Sequence, residues 1–330
     1  MKDAALLATA LAIFSGSAHA ADMPVKAPKA PPPAFEPWDV AFGGGIVSDY
    51  VVRGITLSNH KPSVTAYIEP RYNVTKDLQL YFSVSGESVS LPNRAAAEVD
   101  VYGGIRPTFG PVALDIGVGG YFYPGGTCFF GAPGIDFAGN FQGAECAANA
   151  LINGNVVKKD LSFFEVYGKL SYTVNDNWSF SVNEYYTPNF LNSGAWGNYA
   201  SVAGKYTAPG AMFGSSGVGM YVSGEFGRQW LGTSDSFYGV AAFPNGVKFA
   251  DYNTWNVGVG FTYNVFTLDL RYSDTNLSRG NCNAFAGGTF AANVGTDVTP
   301  INPSGVGSGW CGAAGIAKLS FDLTAINNLK

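Results

Sequence analysis

Ionisable residues recur at every second position along short segments of this 330-residue chain. In residues 63–74, for example, Glu69 and Arg71 alternate with Ile68 and Tyr72. Alternation with a period of two indicates a β-strand with one polar and one apolar face. The side chains on the polar face of such a sheet can form ion pairs and contact water.

Nearly every alternating segment adds charge to the same face, which makes that face the candidate functional surface. The candidates for lining a pore are Glu69, Arg71, Glu98, Asp100, Arg106, Asp115, Glu165, Lys169, Lys205, Glu225, Asp269 and Arg271. Opposite charges stand two residues apart in Glu69/Arg71 and Asp269/Arg271, and neighbouring strands can pair others. Two interpretations stay open: a ladder of salt bridges that fills the interior, or a polar pore whose slight acidic excess gives a weak cation preference.

Catalytic chemistry has little to draw on. After residue 20 the single histidine is His60, so a nucleophilic or acid–base device would have to combine it with Ser58 or Asp49. The sequence has no GxSxG elbow, phosphate loop or metal-ligand spacing. We expect no enzyme activity, no cofactor and no metal, with His60 as a solvated loop residue. An outer-membrane hydrolase is kept as a less favoured alternative.

The four cysteines point to loop-closing disulfides. They allow three pairings, but Cys128 and Cys146 fall in one long Gly- and Ala-rich segment and Cys282 and Cys311 in another. These local pairs would form in an oxidising compartment. The absence of a C-x-x-C spacing argues against a redox or zinc role.

The N-terminus predicts export. Residues 1–20 combine Lys2, an apolar run over residues 4–14 and a small-x-small cleavage site, as a signal peptide does. Residues 21–37 contain six prolines and predict an extended periplasmic linker. Residues 38–330 are expected to form the folded barrel.

Composition favours a membrane protein built from strands. The chain after residue 20 has no run of 18 or more apolar residues, which excludes spanning helices. Charged residues make up 13% of the chain and aromatic residues 15%, whereas soluble domains have about 25% charged residues. The net charge of -5 argues against nucleic acid as a partner.

Twelve segments have the strand pattern, and their connections alternate between long and short. The segments are residues 38–47, 63–74, 78–87, 98–109, 112–123, 162–174, 178–186, 199–207, 218–229, 254–264, 266–273 and 315–323. Membrane strands need about 9–11 residues, and alternating connections put all short turns at one rim. The pattern predicts an all-β, antiparallel, up-and-down transmembrane barrel of about 12 strands, with short periplasmic turns and long extracellular loops.

The orientation of the two faces decides between a membrane barrel and a soluble one. A lipocalin-type barrel also alternates, but it puts the aliphatic face inward. Aromatic residues at strand ends, such as Trp38, Tyr72 and Phe109, suggest interfacial girdles. We therefore expect the apolar face to contact the lipid of a Gram-negative outer membrane, into which the assembly machinery would insert the barrel.

Residues 48–56, Ser-Asp-Tyr-Val-Val-Arg-Gly-Ile-Thr, are followed by Lys61 and Pro62. This S-D-Y-x-x-R-G-x-[ST] signature resembles that of the TorF family of Gram-negative porins. The resemblance implies an outer-membrane barrel of unassigned substrate, and it marks Asp49, Tyr50, Arg53 and Gly54 as a cluster in the first loop. Our hypothesis is an Asp49–Arg53 ion pair that folds this loop over the lumen. The alternative is a loop-shaping turn without contact with solute.

The expected function is passive diffusion of small hydrophilic solutes or ions. Barrels of about 8 strands are filled by their own side chains and those of 16–18 leave a channel, so twelve strands fit either a narrow pore or a closed lumen. The rival function is a structural or surface-interaction barrel with an occluded lumen. The oligomeric state is left open.

Overall fold

The alternating segments form the wall of a closed antiparallel barrel of twelve strands, as the sequence predicts. A computed structural model describes residues 35–127, 158–238, 243–286, 292–294 and 306–329. The strands in chain order are β1 (Trp38–Val47), β2 (Val51–Val52), β3 (Ile55–Thr56), β4 (Ser63–Thr75), β5 (Leu78–Glu87), β6 (Glu98–Phe109), β7 (Val112–Phe122), β8 (Phe163–Thr173), β9 (Trp178–Thr187), β10 (Gly197–Thr207), β11 (Val218–Leu231), β12 (Tyr252–Tyr263), β13 (Phe266–Thr275), β14 (Ala292–Val294), β15 (Val306–Ser308) and β16 (Ala314–Thr324).

Four of these strands lie outside the barrel wall. β2 pairs with β3 in one small hairpin, and β14 pairs with β15 in another. Two short helices, α1 (Arg279–Ala286) and α2 (Ala325–Asn328), complete the regular structure together with single 3-10 turns. No helix in the described ranges is long and apolar enough to cross a membrane.

The barrel closes where β1 pairs with β4 on one side and with β16 on the other. Glycines at this seam make room for large neighbours. A Cβ on Gly43 would stand 2.4 Å from the Phe321 carbonyl oxygen and 2.8 Å from the Tyr67 ring. Gly43 therefore leaves room for the inward-pointing Tyr67 ring at this seam.

The two rims differ as the sequence predicts. The five connections at one end, which we call the turn rim, include residues 76–77 and 264–265, and the longest of them spans 208–217. The opposite end, the loop rim, carries six long loops. They span residues 48–62, 88–97, 123–162, 188–196, 232–251 and 276–313.

The apolar face points outward. Ile68 and Val202 on the wall are 52% and 55% exposed, whereas Glu69 is 1% exposed inside. Aromatic pairs stand on the exterior near both rims, with ring centroids 4.7 Å apart for Trp38–Tyr72 and 5.6 Å for Phe122–Phe164. This orientation rules out the soluble alternative and gives the barrel a surface suited to lipid.

Candidate functional site: the lumen and its crossing hairpin

Charged side chains inside the barrel are joined into networks. Arg106 contacts Glu69 at 2.7 Å and Asp115 at 3.2 Å, and Arg71 contacts Glu69 at 2.6 Å. The Arg106 guanidinium also lies 3.6 Å from the centroid of the Tyr81 ring. Because these residues come from β4, β5, β6 and β7, the network crosslinks one side of the wall.

A second network lies on the other side of the lumen. Arg271 on β13 contacts Asp269 at 3.0 Å, Asn256 at 2.5 Å and Ser223 at 2.8 Å. The Tyr221 hydroxyl donates to Asp269 at 2.7 Å. Both intrastrand pairs that the sequence predicts, Glu69/Arg71 and Asp269/Arg271, are therefore present.

Between these networks lies a cavity of about 370 Å³. Val47 and Ser63 line it at the loop rim, and Thr262 and Thr267 line it at the turn rim. The cavity therefore extends along the height of the barrel. Ten of the twelve pore-lining candidates contact it, namely Glu69, Glu98, Asp100, Arg106, Asp115, Lys169, Lys205, Glu225, Asp269 and Arg271. Of the other two, Arg71 packs on Glu69, and Glu165 lines a second cavity nearer the loops.

The first long loop enters this cavity as a hairpin. β2 and β3 are joined by Arg53 and Gly54, whose φ angles of 49° and 77° suit a two-residue hairpin turn. Glycine is also required at the tip because a Cβ on Gly54 would stand 2.7 Å from the Thr275 side chain. Residues 49–54 line the cavity, with Tyr50 among them, so the hairpin forms its end at the loop rim.

Arg53 links the tip of the hairpin to the opposite wall of the barrel. Its Nη1 and Nη2 donate to Glu165 Oε1 and Oε2 at 2.8 and 2.7 Å, and Nη1 also contacts Gln229 at 3.2 Å. Its guanidinium lies 4.9 and 4.6 Å from the ring centroids of Tyr185 and Tyr199. Around the barrel, β8 is five strands from β1 in one direction and seven in the other, so the loop reaches the facing wall.

The predicted Asp49–Arg53 ion pair is wrong. Asp49 is buried and binds its own loop, accepting from Thr56 Oγ1 at 2.5 Å and Ser58 Oγ at 3.1 Å, with His60 Nδ1 2.7 Å from its Oδ2. These partners curl the loop around Asp49 and leave Arg53 to point away, into the lumen. The loop does fold over the lumen, but through Glu165.

His60 is a bound residue rather than a solvated one, although its side chain is 45% exposed. Its Nε2 lies 2.9 Å from the Gly309 carbonyl oxygen, while Nδ1 faces Asp49. Burial by itself lowers the pKa of His60, but the bonds to Gly309 and Asp49 outweigh it and raise the pKa above 6.5. Both ring nitrogens face acceptors, and Ser58 donates to Asp49, so this geometry lacks a serine–histidine contact.

The last long loop holds the hairpin in place. Thr56 N donates to the Trp310 carbonyl at 2.9 Å, and Ile55 forms a β-bridge with Cys311. Cys311 is bonded to Cys282, with Cα atoms 6.0 Å apart, which confirms this predicted disulfide. The other predicted pair, Cys128 and Cys146, lies outside the described residues.

The described parts of the six long loops share an apolar core above the hairpin. Each loop contributes at least one buried side chain, and representative members are Ile55, Leu91, Leu161, Phe190, Phe249 and Trp310. Between this core and the hairpin is the second cavity, of about 90 Å³. The loop rim is therefore covered by packed apolar side chains, which the alternating pattern of the strands does not reveal.

Three acidic side chains cluster in the wall near the loop rim. Glu87 stands opposite Glu98, with Asp100 two residues further along. Glu87 Oε2 makes no hydrogen bond, whereas the carboxyl groups of Glu98 and Asp100 are hydrogen-bonded to each other. No group of three acidic, histidine or cysteine side chains suited to a metal ion occurs in the part of the chain that is described.

Sequence reasoning missed charged residues on the apolar face near the loop rim. Glu184 accepts from Asn198, and Arg228 donates to Asn253 at 3.1 Å and stacks on Trp230. Both residues fall on the same alternating positions as the outward-facing apolar residues of their strands. The alternation in the sequence therefore predicts that their side chains point outward. They stand where a barrel wall would leave the hydrocarbon.

Comparison with known proteins gives a fold-level likeness and a partial family match. Residues 33–181 match the family described as "Bacterial protein of unknown function (Gcw_chp)". No curated protein sequence matches the chain.

Similar solved structures include the NanC porin, with 10% identity, a TM-score of 0.40, and 87% of this chain and 100% of that chain covered. LpxR from Salmonella typhimurium has 9% identity and a TM-score of 0.37, with 86% and 99% covered. OmpT of Vibrio cholerae has 12% identity and a TM-score of 0.33, with 89% and 100% covered. At these scores the likenesses carry no argument about function, which has to come from the lumen and its loops.

Proposed function

We propose that this protein is an outer-membrane channel for small hydrophilic solutes or ions, with a weak preference for cations. The observation that carries the proposal is the cavity lined by charged residues from rim to rim inside a wall with an apolar exterior. Such a barrel can stand in lipid and still offer a hydrated path. The short turns would then face the periplasm, and the TorF-type motif in the first loop agrees with this function.

The lumen charges support the cation preference. Among the twelve predicted residues seven are acidic and five are basic. Glu87, Glu98 and Asp100 add a cluster of acidic side chains on the neighbouring strands β5 and β6. Acidic side chains that line a pore favour cations over anions.

The hairpin makes this channel narrow. It spans the loop rim between β1 and β8, and the apolar loop core lies above it. Conduction in this arrangement depends on the space beside the hairpin or on its displacement. We therefore propose the hairpin as the constriction of the channel.

Recording current through the refolded full chain in planar bilayers tests this proposal. We expect small stepwise currents from the unmodified protein. A variant in which a Gly-Ser pair replaces residues 51–56 should give larger steps, because the constriction is gone. Lys76→Ala in an exposed turn is the matched control and should conduct like the unmodified protein.

The selectivity has its own readout. Glu87→Gln combined with Asp100→Asn should shift the reversal potential in a salt gradient toward equal cation and anion permeability. Asp274→Asn, near the loop rim on the apolar-face register, removes a carboxylate outside the lumen and should leave the reversal potential unchanged. An unchanged potential in the double variant would contradict the cation preference.

The apolar core of the loops favours a second function, a structural or surface-interaction barrel with a closed lumen. A buried core assembled from six loops is what a fixed cap requires. The same recordings separate the two: absence of current from both the unmodified protein and the shortened-hairpin variant would reject the channel and leave the closed barrel.

A further inference from the structure

The connection between β10 and β11 differs from the other connections at the turn rim. The other four are two to four residues long and span residues 76–77, 110–111, 174–177 and 264–265. This one spans residues 208–217 and includes a 3-10 turn at Gly210–Phe213. Its sequence, Ala-Pro-Gly-Ala-Met-Phe-Gly-Ser-Ser-Gly, contains no charged residue. An exposed apolar segment of this kind indicates a contact with something other than water.

Two large apolar side chains lie at the tip of this connection. Met212 is 58% exposed and Phe213 is 37% exposed. The 3-10 turn fixes the backbone beneath them. Met212 N donates to the Pro209 carbonyl at 2.9 Å, and Gly214 N donates to the Ala211 carbonyl at 3.1 Å. The two side chains are therefore displayed by a hydrogen-bonded turn.

The connection leans outward over the wall of the barrel. The Phe213 ring lies edge-on to Phe261 of β12, with the ring centroids 6.5 Å apart. Phe261 shares its face of the strand with Val257 and Tyr263, which are 53% and 51% exposed on the exterior. At the far end of the connection, a Cβ built on Gly217 would lie 3.6 Å from the Tyr263 ring. The apolar tip is therefore continuous with the outward apolar face of the wall.

We propose that this connection is a lipid anchor, in which Met212 and Phe213 enter the leaflet at the turn rim. They lie where the headgroups of that leaflet meet its acyl chains. Aromatic and other apolar side chains are favourable at this depth, and the absence of charge means that no ion has to leave water. The partner is a phospholipid leaflet, which the tip binds by apolar contact. Because the anchor stands on one side of the barrel, it holds β10 and β11 at a fixed depth.

Other roles for the tip agree less well with its position. A cap on the lumen would have to line the cavity, and no residue of this fully described connection does so. A second copy of the chain would have to displace lipid from Phe261 and Tyr263, which belong to the apolar face of the wall. The anchor needs only the membrane orientation of that wall, so it applies equally to an open channel and to a closed barrel.

Spin labels on the full chain in phosphatidylcholine vesicles measure the depth of the tip. Each sample carries one label, at Met212→Cys, at Val202→Cys in the middle of the wall, or at Asp176→Cys in an exposed polar turn of the same rim. The unmodified, oxidised chain put through the same labelling gives the background. The readout is the collision rate with oxygen, which concentrates in hydrocarbon, relative to that with a water-soluble nickel complex.

We expect the Met212 label to resemble the Val202 label, with frequent oxygen collisions and few nickel collisions. A Met212 label as accessible to nickel as the Asp176 label would overturn the anchor, while the Val202 label shows whether the barrel itself stands in the bilayer. Dipolar broadening between Met212 labels that disappears on dilution with unlabelled chain would assign the tip to a second copy and would also overturn it.

A further variant tests the contribution of the aromatic ring. Phe213→Ser in the chain labelled at Met212→Cys should raise nickel access, because the contact with Phe261 that directs the tip outward is lost. Ser215→Ala changes an exposed polar side chain in the same connection and should leave nickel access unchanged. Equal nickel access with serine and with phenylalanine at position 213 would contradict the role assigned to Phe213.

Discussion

Arg53, at the tip of the first long loop, forms a two-pronged ion pair with Glu165 on the facing wall of the barrel, with N–O distances of 2.8 and 2.7 Å. The two residues are 112 positions apart in the sequence. The Glu165 side chain is 1% exposed and that of Arg53 is 14% exposed. The pair therefore closes the loop rim with an interaction that is shielded from water.

Removing one partner of this pair should be costly. Arg53→Ala leaves the buried Glu165 carboxylate without its cation, and we expect a loss of about 3–5 kcal/mol in the free energy of unfolding. Urea titration of the protein folded into lipid vesicles measures it. Lys76→Ala breaks an exposed 3.8 Å contact with Asp77 and should change stability by less than about 1 kcal/mol.

A double variant separates the stability lost with the ion pair from the stability lost with the other contacts of Arg53. Arg53→Ala with Glu165→Gln removes the orphaned charge, so it should be more stable than Arg53→Ala alone. Equal stability of the single and double variants would mean that water already reaches Glu165.

The disulfide between Cys282 and Cys311 should stabilise the docking of the first loop. It closes a segment of 29 residues, for which chain entropy predicts a contribution of about 3–4 kcal/mol. Because Cys311 bridges to Ile55, replacing both cysteines with serine should also expose the hairpin to protease. Limited proteolysis followed by mass spectrometry of the cleaved loop checks this. Cleavage confined to residues 276–313 would show that the hairpin holds without the disulfide.

The strands were predictable because a half-buried sheet imposes a strict period. β1 and β5 match the predicted segments residue for residue, and β11 extends only two residues beyond its predicted end at 229. Alternation, turn residues and strand length all act locally along the chain. At the turn rim the strand ends differ from the prediction by at most one residue, whereas β10, β11, β12 and β13 each extend two residues further at the loop rim. There the strands leave the apolar zone, and the alternation loses its physical cause.

The loop contacts were not predictable for the opposite reason. Asp49 binds Thr56, Ser58 and His60 because the loop folds back around it. No periodic pattern in the sequence predicts this loop conformation. The apolar core combines side chains from six loops that are far apart in sequence. Its members, such as Leu91 and Phe249, sit in segments without alternation, so only the closed barrel brings them together.

The contact between His60 and the last loop should depend on pH. Its pKa is raised above 6.5 in the folded protein, so protonation stabilises the fold. The contribution is fully present below about pH 6.5, the ordinary value, and is lost as the pH rises through the raised value. The effect should be small, because the ring is partly exposed.

Thermal unfolding across this range measures the effect as a difference between the unmodified protein and His60→Gln. The glutamine side chain does not titrate in this range. The difference in stability between the unmodified protein and the variant should therefore shrink as the pH rises and His60 loses its charge. A difference that stays constant with pH would show that the imidazolium form contributes nothing to the contact.

The outward apolar face should make the wall sensitive to charge in a depth-dependent way. Val202 is the sixth of eleven residues in β10 and is 55% exposed on the exterior. Val202→Arg should lower the free energy of unfolding from vesicles by about 2–4 kcal/mol, because the guanidinium would lie near the middle of the hydrocarbon. Tyr186→Arg, near the loop rim beside Glu184, should cost about 0–1 kcal/mol. Equal costs at both positions would place the wall outside a bilayer and remove the basis for a membrane channel.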